Sequence, residues 1–237
     1  MNRTNKYNEK PHQLDNIEKV YLHAINTGKE YNSLTTIKIF SEILKSNYLL
    51  SLKLQNKETK GGFNGEDYIS LCDYQKRNII NSEPPPYLLE EIYPEGYNSY
   101  NCYIRRSLSL AFDKNLLEVT IPQIVPISIK TKEGYNNMKV LGEHKENRYS
   151  DMPDEVQVKD YISLDKMVYL TFPLHQLLQN YIIESQTIKT ALKHINTINN
   201  LLFKYGYDIP IYDIDTLETL EDEPSIQKVL KKHRKPY

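Results

Sequence analysis

The stretch SQTIKTALKHINTINNLLFKYG, residues 185 to 206, constrains the fold most strongly. Ile188, Leu192, Ile195, Ile198, Leu202 and Tyr205 recur at intervals of three or four, which aligns them along one face of a helix. Ser185 can cap its start, and Gly206 suits the left-handed residue that stops a helix. A helix with one apolar face draws most of its stability from packing that face on a partner. The expected partner is the preceding part of the chain, where the period changes from helical to alternating.

Several strands are expected there. KVYLHAINT is a short apolar strand, followed by SLTTIKIFSEILKSNYLLS, a helix over residues 33–50 with Leu34, Ile37, Phe40, Ile43 and Leu44 on one face. In DYISLC, Tyr68, Ser70 and Cys72 share one face and Ile69 and Leu71 the other. RSLSLAFDKNLLEVTIP reads as a strand with Leu108, Leu110 and Phe112 opposite Ser107, Ser109 and Ala111, and IVPISIKT as a shorter one. In RYSDMPDEVQVKDYISLDKMVYLTFP, Val156 and Val158 face a core while Glu155, Gln157 and Lys159 share the other face. DKMVYLTFP closes the strand-rich part. LHQLLQNYII adds a helix before the long one, and YDIPIYD is a short extended piece.

Together these give an α+β protein: a mixed, two-sheet β core with one early helix and a helical C-terminal section packed on it. Residues 1–17 form a flexible N-terminus, 18–173 the β-rich core and 174–237 the helical section. The tail segregates charge, acidic from Asp213 to Glu223 and basic in KKHRK, and reads as solvated chain ends.

Thirty basic and 31 acidic residues nearly cancel, so no global field favours nucleic acid or an anionic membrane. Cys72 and Cys102 are too few and too far apart for a metal knuckle or a disulfide framework, which suits a reducing compartment. No window has the apolar length of a membrane span, and the first 20 residues hold no signal-peptide core. A cytoplasmic protein is expected, and export by a dedicated secretion machine is compatible with the sequence. Gly61, Gly62 and Gly65 cluster before a strand rather than a helix, against the phosphate-binding loop of nucleotide-binding folds.

Three polar features fall on successive strands: His23, the Tyr68/Ser70 pair, and Glu155. Each alone fits an ordinary polar strand position, but in this order, in YLHAINT, DYISLC and PDEVQVKDYISL, they resemble the ADP-ribosyltransferase superfamily. That superfamily includes bacterial mono-ADP-ribosylating toxins and DarT-like nucleic-acid modifiers. The resemblance spans roughly residues 18 to 173. It implies the β core of that family and a glycosyltransferase activity with NAD as co-substrate.

Catalytic Glu155 would stabilise the oxocarbenium-like charge that develops when the nicotinamide–ribose bond breaks. His23 would bind the adenosine ribose, Ser70 would brace Glu155, and Tyr68 or Tyr74 would stack on the nicotinamide ring. His23 is followed by Ala24-Ile25 where many relatives have Gly and a hydroxyl residue, so Asn26 or Thr27 would hold the nicotinamide amide instead. Pro153, two before Glu155, departs from arginine-modifying members. RSLSLAF, with Ser107 and Ser109, remains an alternative middle strand. The acceptor would be a protein or a nucleic acid, and a bacterial or phage toxin of this kind would have an antitoxin-like or regulatory protein partner. No metal ligand is expected.

Two other readings compete. One is a non-catalytic binding or regulatory protein using the C-terminal helices. The other is a metal-dependent nuclease or phosphodiesterase, ranked lower because no set of metal ligands or twin acid–base groups is read from the spacing.

Overall fold

The computed structural model describes residues 19–25, 33–55, 67–73, 107–121, 124–127, 155–180 and 184–233. The strands are β1 (Val20–Ala24), β2 (Tyr48–Leu50), β3 (Tyr68–Asp73), β4 (Ser109–Asp113), β5 (Ile124–Ile127), β6 (Glu155–Lys159), β7 (Tyr161–Ser163), β8 (Met167–Phe172) and β9 (Ile211–Asp213). The helices are α1 (Ser33–Ser46), α2 (Lys114–Thr120), α3 (Leu174–Asn180), α4 (Glu184–Tyr205) and α5 (Glu223–His233). The result is a mixed α/β architecture consistent with the α+β class.

Local chemistry sets the element ends. Gly206, at φ 84°, ends α4. Its N–H donates to Phe203 O at 3.1 Å and the Tyr207 N–H donates to Leu202 O at 2.9 Å, the paired bonds of a Schellman turn. The early helix stops at Ser46, short of the expected residue 50. Ser46 Oγ donates to Ile43 O at 2.8 Å and accepts from Tyr48 N at 3.2 Å, while Asn47 takes φ 62° and turns the chain into β2. The strand read from RSLSLAFDKNLLEVTIP stops at Asp113. Its carboxylate accepts from Asn115 N at 2.8 Å and caps α2.

β5-β6-β3-β1-β4-β8-β9 form a seven-stranded sheet, and β2 pairs with β7 in a separate two-stranded one. Among the described residues every strand pair is antiparallel except β8 with β9. These two strands are parallel because α3 and α4 carry the chain back between them. YDIPIYD therefore does more than extend: it supplies β9, so the C-terminal section contributes a strand to the sheet as well as helices. Beyond β9 the chain folds back, with Tyr212 bridging Thr219. The Leu220 N–H donates to Ile211 O at 2.8 Å along the outer side of that strand.

The two sheet faces are distinct. One carries Ile69, Leu71, Leu110, Phe112, Val156, Val158, Leu170 and Phe172, buried with Phe40 and Leu44 of α1, the α4 stripe and Ile226, Val229 and Leu230 of α5. The other carries Val20, Leu22, Ala24, Ala111 and Tyr169, buried with Ile214. The alternation read from DYISLC and EVQVK holds: Ile69, Leu71, Val156 and Val158 are all buried. Each large apolar side chain removed from water contributes roughly 1.5–3 kcal/mol, so the helix-covered face is the main source of stability.

Candidate functional site

Strand register decides which of the expected residues meet. Leu22 lies opposite Cys72, and Cys72 lies opposite Glu155, so these three share one row across β1, β3 and β6. Ser70 lies opposite Gln157 and Tyr68 opposite Lys159. Directly opposed residues lie on the same side of a sheet, and positions two apart keep that side. Tyr68, Ser70, Glu155 and Gln157 therefore belong to one face of the β3–β6 pair.

His23 does not belong to that face. It is opposite Leu110, whose side chain lies in the helix-covered core, and it occupies the row adjacent to that of Leu22 and Glu155. Adjacent rows point to opposite faces. The common site expected for His23 and Glu155 is thus not what this register provides. Asn26, Thr27 and Tyr74 lie outside the described residues.

A different cluster forms at the carboxyl ends of the parallel pair β8 and β9, where loops and the start of α3 converge. β8 ends at Phe172, and after Pro173 the first turn of α3 presents His175 and Gln176. β9 ends at Asp213, and the turn after it carries Asp215 and Thr216. The last residue of α5, His233, also reaches this cluster. The hydrogen bond from Ile214 N to Phe172 O, 3.1 Å, ties the two strand ends together.

Asp213 is fully buried, at 0% exposure. Its Oδ2 accepts from Thr216 N and from Thr216 Oγ1, both at 2.9 Å, and lies 3.0 Å from His233 Nε2. Among the described residues no donor reaches its second oxygen, Oδ1. His175 Nδ1 lies 2.8 Å from Asp215 Oδ2, with side-chain exposures of 16% and 12%. His175 Nε2 is 2.9 Å from Gln176 Nε2. The Nδ1–Oδ2 approach is an ion-pair contact outside hydrogen-bond geometry, whereas Nε2 can accept from the Gln176 amide. The two imidazole centroids are 6.3 Å apart.

Two structural features hold this cluster in place. Glu218 forms an ion pair with Lys228 at 2.6 Å and another with Lys232, clasping α5 against the loop after β9. Hydrogen bonds from these two lysines hold the Glu218 carboxyl at about 2, below the usual carboxylate range. At the start of α5, Ser225 N donates to Asp222 Oδ1 at 2.9 Å and Asp222 N donates to Ser225 Oγ at 3.0 Å, a reciprocal cap.

Periodicity does not point to these residues, and the acidic run from Asp213 to Glu223 is not simply a solvated chain end. Asp213 is in the interior, and Glu218 binds Lys228 and, within the basic segment, Lys232. The available signal is the Asp213-Ile214-Asp215 spacing directly after an apolar extended piece. Its partner His175 is far away in sequence and becomes relevant only once β8 and β9 are adjacent. Among the described residues no helix is long and apolar enough to cross a membrane. The chain matches no family model, no curated protein and no solved structure.

Proposed function

We propose that the chain is a hydrolase acting on phosphoester bonds, with His175 as its proton-transfer group. The observation that carries this reading is the carboxylate-backed imidazole at the carboxyl ends of β8 and β9, His175 Nδ1 against Asp215 Oδ2 at 2.8 Å. A carboxylate beside Nδ1 supports the charge that builds up when Nε2 takes a proton. His233 lies nearby, its ring centroid 6.3 Å from that of His175 and the two rings tilted by 47°.

In the reaction, water attacks phosphorus, its proton passes to His175 Nε2, and the bond to the ester oxygen breaks. The leaving oxygen then takes a proton from solvent. Gln176, now bonded to Nε2, gives way to the attacking water.

The test is hydrolysis of bis-p-nitrophenyl phosphate and of single-stranded DNA and RNA by wild type and His175→Ala. Loss of the proton-transfer group should lower kcat about 10²- to 10⁴-fold. Equal rates in the two proteins, or no hydrolysis by wild type, would remove the proposal.

A second reading is NAD-dependent mono-ADP-ribosyl transfer to a protein or nucleic-acid acceptor, with Glu155 catalytic and Tyr68 and Ser70 beside it. It is supported by the shared face of these three residues on β3 and β6. On this reading His23 lies outside the site. Labelled NAD supplied with a cell lysate distinguishes the two: transfer that disappears in Glu155→Gln and persists in His175→Ala favours the second.

A further inference from the structure

We infer that Asp213, Asp215 and His233 form a binding site for a divalent transition-metal ion. The inference rests on the same centre as the hydrolase reading and deepens it, but it stands on a separate observation. One ligand atom from each of the three residues lies within 4.8 Å of the other two, close enough for small side-chain adjustments to bring all three onto one ion.

The carboxylate of Asp213 points most directly to a cation. A fully buried carboxylate requires compensation at both oxygens, because desolvation penalises the charged group. Thr216 satisfies Oδ2 twice, through its N–H and its hydroxyl. Oδ1 is buried and accepts no hydrogen bond from the described residues. Thr216 acts as an outer brace of the kind that orients a ligating carboxylate and leaves its other oxygen available to the ion.

The ligand types select the ion. Calcium and magnesium take oxygen ligands, whereas an imidazole nitrogen beside two carboxylates suits zinc, manganese, cobalt or nickel. His175 is not among the three ligands and remains available for proton transfer. The ion would neutralise charge on a phosphoryl oxygen.

The test uses the full chain, stripped with a chelator and titrated by calorimetry with Zn²⁺, Mn²⁺, Co²⁺, Mg²⁺ and Ca²⁺ in the absence of any phosphoester. One transition-metal ion per chain is expected, with Mg²⁺ and Ca²⁺ at least about tenfold weaker. Asp213→Asn and His233→Gln should each weaken binding by at least about tenfold. His233→Gln alters only the last turn of α5, so it keeps the test valid should Asp213→Asn fold poorly. Absorption of bound Co²⁺ in the visible range should change in His233→Gln if an imidazole ligates. Absence of a stoichiometric site, or unchanged affinity and unchanged Co²⁺ spectrum in His233→Gln, would overturn the inference. Metal binding with no hydrolysis would uphold it and remove only the hydrolase reading.

Discussion

Replacing Leu230 by alanine tests whether α5 is an integral part of the fold or a loosely attached helix. Leu230 is fully buried, with Ile226 and Val229 of the same helix, in the core shared with α3 and α4. Truncating a fully buried leucine removes its transfer free energy and leaves a cavity, together about 3 kcal/mol within a usual span of about 2–5. In a chain of this size each kcal/mol lowers Tm by about 2–4 °C, so a fall of roughly 6–12 °C follows.

Urea unfolding followed by far-UV circular dichroism measures the change, with an unchanged m-value confirming that the unfolded state is not altered. Leu54→Ala is the control: that side chain is 48% exposed, and its loss should change stability by about 0.5 kcal/mol or less. His233 lies at the end of the same helix, so cation affinity should fall with stability in Leu230→Ala. A loss below about 1 kcal/mol at constant m-value would refute the packing of α5 described above.

Three further outcomes are expected. Glu218 has a folded pKa of about 2 against an ordinary 4.5, so its contribution is complete above the ordinary value and lost as pH falls from there towards 2; acid unfolding should begin at a higher pH in Glu218→Gln than in wild type. Gly206→Ala meets no atom within 4 Å, so its cost is the left-handed backbone alone, about 1–2 kcal/mol by urea titration. Asp113→Ala removes the α2 cap at Asn115 N and should cost about 1 kcal/mol in the same assay, with little effect on hydrolysis.

Much of the local structure was legible because it depends on neighbours in sequence. The alternation around Ile69 and Val156 and the stripe from Ile188 to Tyr205 record which side of an element is buried, and Gly206 marks an end. Strand order is not encoded that way. Placement of β3 between β1 and β6 assigns Glu155 and His23 to different faces, a consequence of two registers that no single stretch contains. The pair Asp213 and Asp215 was visible as a spacing, but its meaning depends on His175 and His233, which the β8–β9 crossover and the docking of α5 bring to it. The early helix ends at Ser46 rather than residue 50 for a local reason: Asn47 takes a left-handed backbone conformation that a hydrophobic pattern does not reveal.

The return of the chain along β9 also has a consequence for association. A bare outer strand offers unpaired peptide groups that recruit strands from other molecules and start fibrils. Here the segment around Thr219 and Leu220 already occupies the outer side of β9, and β9 itself spans only three residues. Growth of a cross-β assembly from that margin would first require peeling away the chain's own returning segment, and with it the loop that holds Glu218.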